Sequence, residues 1–134
     1  MEFYAANWIA IIVAAAAGFV VGGIWYGPVM GKKWMGAVGL TEEDVQSGNM
    51  IMIYGTAFLF SLIASITLAH LLTYFPDAGL STTILIAVGV AAGFLVPAIG
   101  TNYLFSQKSR TLFFIDAAYW LLFYAAMGTV HALL

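Results

Sequence analysis

The chain has no cysteine, only three prolines and very few charges, and each shortage excludes something. Without cysteine there is no disulfide framework and no thiolate metal site, so the redox compartment goes unmarked. Charged residues fill 7% of the 134 positions, whereas a soluble domain carries about a quarter. None lies between Glu2 and Lys32, between Asp44 and Asp77, or between Asp77 and Lys108. Four basic residues against six acidic ones leave a net charge of −2 and no basic surface for nucleic acid. Also missing are a nucleophile elbow, a two-histidine zinc helix, a phosphate loop and paired carboxylates. Catalysis is therefore the least supported class, and no cofactor is implied.

What the chain has is apolar surface, at 63% of its residues. A bilayer-spanning helix needs about 20 mostly apolar residues, and the charge-free stretches hold one each, with a fourth near the C-terminus. The expected fold is an all-α membrane protein, a bundle of four transmembrane helices in a single domain, with spans at 6–26, 50–73, 81–104 and 112–133. Met1-Glu2-Phe3 lacks a basic n-region and Gly22-Gly23-Ile24-Trp25-Tyr26 is a poor cleavage context, so the first stretch reads as a retained helix. Pro76-Asp77-Ala78-Gly79 is a turn-type cluster after the second span, and Ser106-Gln107-Lys108-Ser109-Arg110 is a polar break before the fourth.

Only the connection 27–49 is long enough to fold by itself. Pro28 suits a helix N1 position, and Lys32, Lys33, Trp34 and Met35 suit a short segment lying in the headgroup layer. Thr41-Glu42-Glu43-Asp44 resembles a helix cap, with acids placed at the positive end of the dipole. Gly48-Asn49 interrupts before the second span. All four basic residues, Lys32, Lys33, Lys108 and Arg110, fall on one side of the expected membrane. The positive-inside rule makes loops 27–49 and 105–111 cytoplasmic and places both termini outside. Aromatics at the interfaces, Tyr4 and Trp8 outside and Trp25, Tyr26 and Trp34 inside, form the anchoring belt.

Ala16-Ala17-Gly18-Phe19-Val20-Val21, with Ile24 and Lys33, can be laid over Ala91-Ala92-Gly93-Phe94-Leu95-Val96, with Ile99 and Lys108, without a gap. Ala64, His70 and Leu72 likewise lie over Ala125, His131 and Leu133. Both pairings imply two helical hairpins of the same orientation, a parallel repeat about an axis along the membrane normal. In lipid, helices associate through close approach at small residues. Gly18 and Gly22, Gly23, Gly27 and Gly31, Gly89 and Gly93, and Ser61, Ser65 and Ala69 recur at four-residue spacing. These seams close the bundle itself or serve a subunit interface.

Asp116 is the only acid expected inside a span, where a charge at the bilayer centre costs about 2.5–3.5 kcal/mol on insertion scales. Asn102 lies six residues before Lys108 and Asp116 six after Arg110, so antiparallel helices bring them level. Both then sit about 9 Å from the basic loop at 1.5 Å per residue, within snorkelling reach of Arg110 or Lys108. Asp116 is either a structural clasp with Arg110, Lys108 or Asn102, or a proton or cation site flanked by Tyr103, Tyr119 and Trp120. His70 and His131 fall at equivalent places near the outer helix ends. Two imidazoles are too few for a structural zinc site, and Asn7 at similar depth is a poor ligand. Interfacial anchoring is the plain role for both histidines, with metal binding or pH sensing as the alternative. Phe113, Phe114, Tyr119, Trp120, Phe123 and Tyr124 crowd the fourth helix as core or lipid-facing packing.

The run Gly23-Ile24-Trp25-Tyr26-Gly27-Pro28, then Gly31-Lys32-Lys33-Trp34-Met35, then Gly39-Leu40-Thr41-Glu42-Glu43, resembles the signature of a bacterial membrane family, domain of unknown function 1761. Phe114-Ile115-Asp116-Ala117-Ala118-Tyr119 is similar to that family's pattern as well. The resemblance implies four membrane helices in one domain and a bacterial inner-membrane location, and brings no activity or site residues with it. Two functional readings follow. The first is a self-associating or accessory subunit, with membrane lipid and either copies of itself or a larger complex as partners. The second is a small oligomeric channel or transporter for a proton, cation or small solute, using Asp116 and Asn102.

Overall fold

The computed structural model describes residues 6–134. Tyr4, assigned above to the outer aromatic belt, and the Met1-Glu2-Phe3 start lie outside the described residues. The described chain is helical, with no strand: α1 Trp8–Ile24, a π turn Trp25–Val29, α2 Gly31–Val38, α3 Glu42–Gln46, α4 Met50–Leu72, α5 Leu80–Val90, a second π turn Ala91–Leu95, α6 Val96–Phe105 and α7 Arg110–Leu133. Four stretches are long and apolar enough to cross a membrane: Trp8–Val29, Met50–Leu72, Leu80–Phe105 and Arg110–Leu133.

Polar side chains start three of the four. Asn7 accepts from the Ala10 amide at 3.0 Å, Asn49 from Met52 at 3.1 Å and Ser109 from Leu112 at 3.1 Å, each satisfying an amide that the first turn leaves without an intrahelical partner. α6 ends in a Schellman turn, in which the Lys108 amide reaches the Tyr103 carbonyl at 2.9 Å and Gln107 takes φ 57°. α2 ends at Gly39, whose φ of 82° favours glycine. The capping arrangement read at Thr41 forms as a reciprocal box. The Asp44 amide donates to Thr41 Oγ1 at 3.1 Å, and the Thr41 amide donates to Asp44 Oδ2 at 2.9 Å.

Pro28 does not open α2 as its sequence position had implied. It sits inside the π turn that prolongs α1, where the Met30 amide bonds to the Trp25 carbonyl at 2.7 Å. Pro97 follows the second π turn, near the start of α6. A proline lacks its amide hydrogen and crowds the carbonyl four residues back, and a turn widened to five-residue spacing accommodates both defects. With Ala16 laid on Ala91, the first π turn falls opposite 100–104 rather than on 91–95, so the internal likeness does not extend to this feature.

α1 packs along both α7 and α4, and α5 packs along α7, giving the lateral order α4, α1, α7, α5. α4 and α5 share no extended contact. Between them, Trp120 and Tyr124 of α7 line a cavity of about 320 Å³. α7 is the most buried span, and its Phe123, Tyr124 and Met127 form the core with Ala14, Leu68, Ala87 and Ala91. Outward faces are apolar: Ile51 is 88% exposed and Phe105 86%. Such surface is costly in water and suits lipid.

Candidate functional site

The α1–α7 crossing sets the site. Along α7, Asp116, Tyr119, Phe123 and Met127 recur at three- and four-residue steps and so share one face. Opposite them on α1, Gly18 and Gly22 leave room for rings. A Cβ at Gly18 would lie 2.5 Å from the Phe123 ring, and one at Gly22 would lie 3.3 Å from Tyr119. The next residue on that face, Tyr26, lies in the π turn and meets Asp116.

Asp116 is 8% exposed. The Tyr26 hydroxyl donates to its Oδ1 at 2.5 Å and the Tyr103 hydroxyl to its Oδ2 at 2.5 Å. Three of the four spans thus meet at one carboxylate. Tyr119 lies beside it, with its ring 4.9 Å from that of Tyr26. Trp34 of α2 stands edge-on to Tyr26 at 5.6 Å, tying the interfacial helix to the site. The Trp25 indole donates to the Ile115 carbonyl at 3.0 Å, one residue from the acid. Hydrogen bonds to a charged group contribute about 1.5–3 kcal/mol each, so two of them are comparable with the insertion cost of the carboxylate.

The cation partners expected from sequence are not the ones found. Lys108 and Arg110 are exposed and line a separate groove with Gly100, Tyr103 and Phe113. Among the described residues neither forms an ion pair with Asp116. Asn102 is exposed, and its carbonyl accepts from Ser106 Oγ at 2.8 Å. Its neighbour Tyr103 faces the acid instead. Counting along the hairpin found the right level and the wrong residue, because helical rotation decides which of two adjacent side chains points inward. Tyr26 was assigned to the aromatic belt. The available signal was its position four residues after Gly22 and eight after Gly18, on the face that packs.

The expected glycine seams divide. Gly18 and Gly22 lie in the α1–α7 crossing, and Gly31 abuts the Tyr26 carbonyl, where a Cβ would sit at 2.6 Å. Gly23, Gly27, Gly89 and Gly93 have nothing within 4 Å of an added Cβ; Gly23 and Gly27 border a cavity between α1 and α4 with Ile53, Tyr54 and Ala57, and Gly89 and Gly93 are exposed. Two close approaches were missed: Gly100 against Phe113, and Gly128 against Ala87, whose Cβ lies 2.7 Å from the built position. Ser61 and Ser65 are buried as their spacing implied, and the Ser65 hydroxyl donates to the Ile11 carbonyl at 2.8 Å.

The histidines take different neighbours. His131 Nε2 lies 3.0 Å from Ser65 Oγ, and since that hydroxyl donates to Ile11, Nε2 is the donor to it. His70 stands edge-on to Tyr74 at 5.5 Å. Asn7 caps α1 and donates to the Leu134 carbonyl at 3.2 Å. Among the described residues no three His, Cys, Asp or Glu side chains are grouped to hold a metal.

Asp116 also lines the largest of the cavities around it, about 530 Å³, bounded by Tyr26, Trp34, Tyr54, Tyr119 and Trp120 and covered on the loop side by Leu40, Asp44, Val45 and Gly48. A neighbouring cavity of about 360 Å³ shares Tyr26, Ile53, Tyr54 and Tyr119 with it.

Fold and site together define a small multi-pass helical membrane protein with a hydrogen-bonded acid held between three of its spans. The family model described as protein of unknown function (DUF1761) matches residues 9–132, and the chain belongs to that family. No curated protein and no solved structure gives a significant match.

Proposed function

We propose that the protein is a membrane carrier whose Asp116 exchanges a proton for a cation, loaded from the side that carries the basic loops, which we take as cytoplasmic. One observation carries the reading: a carboxylate 8% exposed accepts from two phenols, has no ion-pair partner among the described residues, and borders a cavity rather than packed core. A structural clasp would neutralise the charge, since ionisable groups within spans pair or mark a pathway. Phenols satisfy lone pairs and supply no charge, which leaves the carboxyl to a proton or a mobile counter-ion.

The test is cation–proton exchange in liposomes of purified protein loaded with a pH-reporting dye and made acidic inside. Addition of a transported cation outside is expected to raise the interior pH, and Asp116→Asn to abolish the response while gel filtration and helical content stay unchanged. Equal exchange by the variant would overturn the reading.

A second reading, self-association, is supported by the exposed Gly89 and Gly93, which leave backbone open to close approach by another helix. Gly89→Leu and Gly93→Leu are expected to lower the oligomer mass measured by light scattering in mild detergent. An unchanged mass in both variants would remove it.

A further inference from the structure

The proposal above leaves the cation unnamed, and the cavity constrains its chemistry. A hard metal cation of the calcium or magnesium type takes six or more oxygen ligands, or keeps several waters. Here the acid's two oxygens each already accept from a phenol, and the rest of the lining is mainly aromatic and aliphatic, with the rings of Trp34, Tyr54, Tyr119 and Trp120. An aromatic wall around the Asp116 carboxyl, with Asp44 only at the rim, favours a weakly hydrated cation that carries its own apolar body. The rings then supply cation–π attraction and the desolvation cost stays small. The cavity of about 530 Å³ falls inside the range of about 300–1,000 Å³ that drug-sized ligands occupy.

Access points the same way. The cavity lies at the basic-loop end of the spans, where amphipathic molecules collect in the headgroup layer, and Tyr54 is 55% exposed at its edge. Asp44 on the loop side borders the same cavity, so a second carboxylate stands at its rim. The neighbouring cavity, which shares Tyr26, Ile53, Tyr54 and Tyr119, reaches Gly22, Ala57 and Phe19.

We infer that this cavity binds an amphipathic organic cation, with the charge at Asp116 and the apolar body among Tyr26, Trp34, Tyr54 and Trp120, in competition with a proton for the carboxylate. The inference rests on the carrier reading for the role of Asp116 and adds the ligand class. The groups facing the carboxylate are the Tyr26, Tyr103 and Tyr119 phenols, with Asp44 across the cavity.

Equilibrium dialysis of radiolabelled tetraphenylphosphonium against the full chain in detergent tests it, with tetraphenylborate as the same shape of opposite charge. Saturable binding near one phosphonium per chain is expected, weakening as the pH falls, with no saturable binding of the borate. Asp116→Asn should weaken it at least tenfold. Tyr54→Ala, at a position 55% exposed, should weaken it several-fold and keeps the test decisive if the Asp116 variant fails to fold. Phosphonium binding that is equal in the wild type and both variants, or borate binding as tight as phosphonium, overturns the inference. If sodium or potassium drives Asp116-dependent exchange in liposomes while phosphonium does not bind, the ligand class fails and the carrier reading stands. If no cation drives exchange yet phosphonium binds and Asp116→Asn releases it, the ligand site stands and transport does not.

Discussion

Gly18 on α1 receives the ring of Phe123 from α7: an added Cβ would lie 2.5 Å from a ring that is 1% exposed. Gly18→Ala is therefore expected to destabilise the bundle by about 1–3 kcal/mol, the usual range for overpacking. At Gly23, five residues on, nothing lies within 4 Å. There the better helix propensity of alanine, worth up to about 1 kcal/mol, should leave stability unchanged or raised. Unfolding in bicelles or mild detergent compares the two. Equal destabilisation would mean that Gly23 is packed in the membrane by something other than this chain.

Gly128 makes the matching argument on the other side of α7, where its Cα face meets Ala87 of α5 with a built Cβ only 2.7 Å away and the α5 backbone at Ile84 3.4 Å away. Because backbone cannot rotate aside as a ring does, Gly128→Ala should separate α5 from α7. The expected readout is faster hydrogen exchange confined to residues 80–95, with the α1–α4 pair protected as before.

These contrasts show how far the sequence carries. Span limits were readable because charge-free runs end at caps and polar breaks: the second span was expected at 50–73 and forms at Met50–Leu72. Four-residue glycine spacing marks a helix face, but Gly18 and Gly22 meet rings of α7 whereas Gly23 and Gly27, at the same spacing, border an open cavity between α1 and α4. Spacing alone does not name the neighbour. Tyr26 was out of reach for a related reason. It lies 90 residues from Asp116, and its approach depends on a π turn that re-aims the side chain around Pro28. The counting argument compared only helices joined by a short loop, and so chose Asn102 over the inward-turned Tyr103.

Removing one phenol leaves Asp116 with a single donor. Tyr26→Phe and Tyr103→Phe are each expected to destabilise by about 1–2 kcal/mol, the upper part of the range for interhelical hydrogen bonds in lipid. With Asp116→Asn already present, either phenol change should do much less, because the two phenols act through that carboxylate. A double-mutant cycle on unfolding free energies checks this. Additive effects would place the phenols' contribution elsewhere.

Asp44 caps α3 and borders the cavity. The Thr41 backbone amide and then the Thr41 hydroxyl group hold the Asp44 carboxyl below its ordinary value of 3.8. A carboxyl lowered in the folded state contributes stability above its ordinary value, and that contribution is lost as the pH falls through the lower, folded one. Protection factors of amides 42–47, taken against the intrinsic exchange rate at each pH, should therefore fall on acidification below about pH 4, and Thr41→Ala should produce the same loss of protection at neutral pH. If exchange there is already unprotected at neutral pH, the capping box is not formed in solution.

Sidedness decides which compartment feeds Asp116, and the absence of native cysteine makes it directly measurable. Lys32, Lys33, Lys108 and Arg110 all flank the cavity end of the spans, whereas Asp77 lies in the opposite turn. Basic residues in short loops are retained in the cytoplasm. A membrane-impermeant maleimide is therefore expected to label Asp77→Cys on intact cells, and Glu43→Cys only after permeabilisation. Both substitutions fall at exposed positions, so the label reports location rather than access through the fold. The reverse pattern would turn the Asp116 cavity outward. The same acid, phenols and aromatic wall would then collect a cation from outside the cell, and the carrier reading would change from export to uptake with no change in the site.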